Sequence, residues 1–133
     1  MRHGIAILIC FTCFFAALTM GGAKEPKKSR EPQSELAQAP VAARSWKNPY
    51  EGRPGAVQAG KLLFDRHCAQ CHGTDGKGHG RAPDLHAPPV QRAAPGTLFW
   101  FLRNGNLKEG MPSWSSLPDQ QLWQLVSFLR TLH

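Results

Sequence analysis

Two thiols and an imidazole stand close together in Cys68-Ala69-Gln70-Cys71-His72. Residues three and four apart share one helix face, so Cys68, Cys71 and His72 project to the same side. This is the C-x-x-C-H pattern of covalent c-type haem attachment. Each thiol can form a thioether with one haem vinyl group, and the imidazole reaches the iron from below. A thioredoxin-like redox pair would need a βαβ surround, and no alternating strand pattern flanks these cysteines. A zinc site would have to recruit His79 or His86 from a loop, since no second cysteine pair follows.

An iron that exchanges electrons with little reorganisation needs a second, fixed axial ligand. Met111 lies 39 residues beyond His72 and is the sole methionine after the leader. It sits in Gly110-Met111-Pro112, a turn-forming setting that presents a side chain rather than packing it. A thioether opposite an imidazole raises the potential of a haem iron. His79, His86 and His133 are the alternatives; His67 adjoins Cys68 and cannot easily cross the ring.

These groups must be positioned by few elements. Apolar spacing predicts helices over Ala56–Cys71, Thr97–Arg103 and Pro118–Leu132. Thr97 suits an N-cap, and Asn104-Gly105 suits a left-handed end. Pro118 and Asp119 suit a helix start, and Arg130 the last turn, where it complements the helix dipole. The intervening chain is rich in Gly, Pro and His, so the class is all-α with long loops. Gly73, Gly76, Gly78 and Gly80 lack the strand and the Gly-Lys-Ser/Thr ending of a phosphate-binding loop and read as a flexible turn. Three short helices bury a meagre core, and a domain this small needs a stapling element. A covalently held apolar macrocycle would supply it.

The 133 residues make room for one domain, and 16 Lys+Arg against 9 Asp+Glu give +7. A basic start, Met1-Arg2-His3, precedes an uncharged run from Gly4 to Ala23. That layout predicts residues 1–23 to be an export signal ending at Gly21-Gly22-Ala23, or an uncleaved membrane anchor. Either way the rest is expected to be exported or periplasmic, where nucleic acid is not a partner. Cys10 and Cys13 fall inside this apolar run and behave there as small hydrophobes. Residues 24–45, with Pro26, Pro32 and Pro40 among polar side chains, read as a flexible linker. The packed domain is then 46–133.

The chain resembles the small monohaem class I cytochromes c, especially variants related to the haem subunit of cbb3-type oxidases. The likeness is carried by Asn48-Pro49, Gly60 to Phe64, Cys68 to Gly80, Ala82 to Leu85, Leu98 to Trp100, Asn104-Gly105, Met111-Pro112 and Leu122 to Leu129. It implies the class I fold, with the first and last helices crossing at Gly60 and Phe64 against the Leu125–Leu129 face. It also implies one haem c, and a Pro83 carbonyl that accepts the His72 N–H. Pro118 departs from the usual Ser or Thr cap, and the His86–Pro95 loop is short. Trp100, Trp114 and Trp123 are packing residues in this reading; Trp114 or Arg81 could also meet a haem propionate.

The function expected is electron transfer, the iron cycling between Fe(II) and Fe(III) with no catalytic side chain. From Gly55 onward eight basic residues face five acids, a balance of +3 that favours redox partners with acidic docking surfaces. The alternatives are a haem subunit of a respiratory oxidase or dehydrogenase, and a haem enzyme such as a peroxidase, which the Met111 ligand opposes.

Overall fold

The computed structural model describes residues 35–133, which are helical, with no β-strand beyond an isolated Asn106–Met111 bridge. Five α-helices occur among them: α1 (Pro54–His67), α2 (Ala69–His72), α3 (Pro88–Gln91), α4 (Pro95–Asn104) and α5 (Asp119–Leu129). Two 3-10 helices, Val41–Ser45 and Leu107–Glu109, complete the set. The proposed leader, with Cys10 and Cys13, and linker residues 24–34 lie outside the described residues.

The expected helix from Ala56 to Cys71 is in fact two. Pro54 occupies the first turn of α1, where its missing N–H costs nothing. The helix then breaks at Cys68, whose φ of −115° leaves the regular spiral. The second long helix also starts earlier than expected. Pro95 opens α4 after Ala94, so Thr97 is not its cap but a buried residue inside it. Gly105 ends α4 with a positive φ of +68°, but its ψ of −169° is extended rather than the left-handed helical end that the Asn-Gly pair suggested. The last helix stops at Leu129 rather than Leu132, and Pro118 is its N-cap residue. Arg130 does not serve its own helix end: its guanidinium donates to the carbonyls of Gln91 and Ala93, tying α3 to α5.

The core is the crossing of α1 on α5. Phe64, Leu122, Leu125 and Val126 are completely enclosed there, and Phe64 meets Phe128 with ring centroids 5.1 Å apart. Gly60 makes the crossing possible: a Cβ on it would lie 2.0 Å from the Gln124 carbonyl oxygen and 2.8 Å from Cβ of Phe128. Helix α4 packs on the same α5, where Phe99 stacks on Trp123 at 4.2 Å.

The chain before α1 is more tightly held than a linker would be. Ala39 and Ala43 are buried, and the Ala43 carbonyl rests against Gly96. These two small apolar contacts lie within the stretch whose polar composition suggested a linker. Asn48 fixes the approach to α1. Its amide donates to the Ser127 hydroxyl (2.9 Å) and the Trp123 carbonyl (3.1 Å), while its Oδ1 accepts the Tyr50 N–H (2.9 Å). No helix among the described residues is long and apolar enough to cross a membrane.

Candidate haem-binding site

The helix break keeps the spacing that the thiols require. The Cys68 carbonyl accepts the N–H groups of Cys71 (3.1 Å) and His72 (2.9 Å), so one helical turn links all three side chains. Cys68 is half-buried and Cys71 exposed, and they are not joined by a disulfide. Burial, aided by the neighbouring Cys71, pushes the Cys68 thiol up to about 11, so it stays protonated at neutral pH. Cys68 and Cys71 are the two thiols that would hold a haem through thioethers to its vinyl groups.

His72 is oriented by the loop that follows it. Its Nδ1 lies 3.3 Å from the Pro83 carbonyl oxygen. A carbonyl can only accept, so Nδ1 carries the hydrogen and Nε2 keeps a free lone pair. Burial holds the imidazole below its ordinary pKa, the Pro83 bond opposing this in part. The neutral ligating form is therefore favoured.

The glycine segment is not a flexible turn, as its composition suggested, but a built one. Gly78 N–H bonds to His72 O (2.8 Å), His79 N–H to Cys71 O (3.1 Å) and Leu85 N–H to Gly76 O (2.8 Å). Gly78 has φ of +80°, and a Cβ there would fall 2.2 Å from the Ala82 carbonyl oxygen. Side chains are thus excluded where the chain folds back to bring Pro83 to His72. Just beyond, the Asp84 carboxylate accepts the His86 N–H (2.8 Å) and closes the next turn.

Met111 sits on a separate loop after α4. Its N–H and carbonyl pair with Asn106 at 3.0 and 2.9 Å, closing a small loop around Leu107–Glu109. Trp114 N–H bonds to Leu102 O (3.1 Å) and the Ser113 hydroxyl donates to Arg103 O (2.6 Å). The thioether is therefore presented by backbone fixed to the end of α4.

Cys68, Cys71, His72, Pro83 and Met111 all line one cavity of about 550 Å³. The floor is apolar: Phe64, Leu98, Leu102, Leu125 and Leu129 come from α1, α4 and α5. A cavity of this size and lining suits one large planar ligand. Two thiols at one wall, an imidazole held by a carbonyl, and a loop methionine fit a c-type haem in donor type and number. Arg81 also lines the cavity, beside Gly110, whereas His86 and His133 do not. Sequence reasoning missed Val90 and Phe101 in the wall, although helical spacing could have pointed to Phe101. It also missed Glu35 and Leu36, which line the cavity from within the supposed linker and carry no local signal.

Residues 55–129 match the family described as cytochrome c oxidase, cbb3-type, subunit III. The chain belongs to this family. The chain is similar to cytochrome c550 of Pseudomonas aeruginosa, with 33% identity over 66% of this chain and 63% of that one. The match thus spans less than two thirds of that relative. Cytochrome c-554(547) of Halothiobacillus neapolitanus is 30% identical, the match covering 59% of this chain and 98% of that protein. Among solved structures, cytochrome cL of Methylophaga aminisulfidivorans MPT superposes with a TM-score of 0.56 at 20% identity, covering 85% of this chain and 71% of that one. That likeness shows the fold, the all-α class I cytochrome c fold.

Proposed function

We propose that the protein is a one-electron carrier in which Cys68 and Cys71 hold one haem c, and His72 and Met111 are its axial ligands. The observation that carries this is the convergence of those four side chains on one largely apolar cavity, three from the helical turn at residues 68–72 and one from the loop after α4. When bound, the haem supplies a one-electron iron couple. The chain's own residues bind and orient: Pro83 fixes the His72 tautomer, the Asn106–Met111 pairing presents the thioether, and Phe64, Leu98 and Leu125 keep water from the buried side. No side chain needs to transfer a proton.

Met111→Ala tests the ligand assignment. The far-red absorbance that marks sulfur on ferric iron should vanish, cyanide should bind readily, and the midpoint potential should fall. A fall on the order of 0.1 V or more is expected, within the roughly 0.8 V that axial ligands span. An unchanged spectrum and potential would move the sixth ligand elsewhere and reopen the haem-enzyme reading.

Residues 1–23 serve in this reading as a cleavable signal or membrane anchor, and the domain works outside the cytoplasm. The family match favours a second form of the same activity, as a haem subunit of a larger oxidase. The small cytochrome c-554(547), matched over 98% of its length, supports the free carrier.

Docking to acidic redox partners rests on the excess of basic residues. Lys61 and Arg103 are engaged with Asp65 and Asp119 and Arg130 with backbone carbonyls, leaving Arg66, Lys77, Arg81, Arg92 and Lys108 to steer, Arg81 among them at the cavity. The association rate should fall as ionic strength rises past about 0.1 M, where the screening length is about 10 Å. A stopped-flow rate flat from low to high salt would remove the steering role.

A further inference from the structure

The loop that carries Met111 and the segment that carries Cys68 and His72 both line the cavity but belong to different elements. The hydrogen bonds that fix Met111, Ser113 and Trp114 reach back to Asn106, Arg103 and Leu102, at and beyond the end of α4. None of these bonds reaches α1. A ring contact does: the His67 imidazole, on the residue before Cys68, meets the Trp114 indole with centroids 5.1 Å apart and planes tilted by 55°. Both rings are half-buried, and both line the cavity.

We propose that the His67–Trp114 contact is a clasp that holds the Met111 loop against the haem-attachment segment, and so keeps the thioether in place as axial ligand. The proposal rests on the reading of Met111 as that ligand. His67 and Trp114 are positioning residues: neither is asked to touch the iron. Trp114 follows Met111 by three residues on a chain already fixed to α4, so the indole and the thioether move together. Opening the clasp frees the loop on the α1 side while leaving its hydrogen bonds to α4 intact. An exogenous ligand that competes with Met111 must displace the loop, and the clasp adds to the work of displacing it. A tilted aromatic pair of this kind corresponds to about a three- to tenfold change in such an equilibrium.

The test uses the ferric holoprotein and imidazole as the competing ligand, followed by loss of the far-red sulfur–iron absorbance. His67→Ala and Trp114→Leu should each raise the apparent imidazole affinity about three- to tenfold. The double variant should gain little more than either single one, since both remove the same contact. His67→Phe, which keeps a ring, should stay near the wild type. Denaturant midpoints of the same variants separate loop release from global loss of stability: affinity must rise even where the midpoint is unchanged. Wild-type absorbance with unaltered imidazole affinity in both single variants overturns the clasp alone. Strictly additive effects in the double variant also overturn it. A wild-type protein without the far-red absorbance overturns the Met111 reading, and the clasp with it.

Discussion

The double variant Cys68→Ala, Cys71→Ala is expected to lose all haem on denaturing extraction, and the stripped chain to have no compact fold. Phe64, Leu98, Leu102, Leu125 and Leu129 line a cavity of about 550 Å³. At about 24 cal/mol per Å³ of unfilled space, an empty cavity of that volume corresponds to roughly 13 kcal/mol. Water entering through the mouth lowers that figure, which is an upper bound. Even half of it is comparable with the 5–15 kcal/mol that hold a typical domain together. The macrocycle is thus part of the core, and α4 and α5 lose their shared filling without it. Far-ultraviolet circular dichroism with a denaturant titration checks this. A colourless variant with native helix content and a cooperative transition would show that the helices alone suffice.

Gly60→Ala is expected to destabilise the protein by about 3 kcal/mol or more, although alanine is the better helix former by about 1 kcal/mol. The added Cβ would lie 2.0 Å from the Gln124 carbonyl oxygen, which is backbone and cannot turn aside. The two helices must then separate, opening the packing of Phe64 on Phe128 and disturbing the wall behind the haem. Gly55 is the internal control. It lies in the first turn of the same helix, and a Cβ there meets nothing within 4 Å. Gly55→Ala should therefore be neutral or stabilising by up to about 1 kcal/mol. Chemical denaturation of the two holoprotein variants measures both signs. Equal effects at the two glycines would mean that helix propensity, not the crossing, governs position 60.

Only the family resemblance marked Gly60 as the crossing point; helix propensity and apolar spacing alone do not give its cost, and the same limit recurs elsewhere. Thr97 has the chemistry of an N-cap, yet Pro95 two residues earlier sets the start of α4, and Thr97 is drawn into the core. Arg130 has the right charge for the end of α5, yet nearby carbonyls of Gln91 and Ala93 take its guanidinium. Leu36, Ala39 and Ala43 sit among prolines and polar residues, and only the surfaces they meet reveal them as packed.

The all-α class was legible in the residue pattern, and so were the candidate donors on which the proposed function rests. Cys68, Cys71 and His72 are bound to one helical turn by covalent spacing, and the apolar period of 3.6 marks α1, α4 and α5 wherever they pack. Tertiary structure alone decided where helices begin and end, how Pro83 reaches His72, and that Trp114 meets His67. Those outcomes depend on contacts between residues far apart in the chain, whose energies outweigh the preferences of any few neighbouring residues.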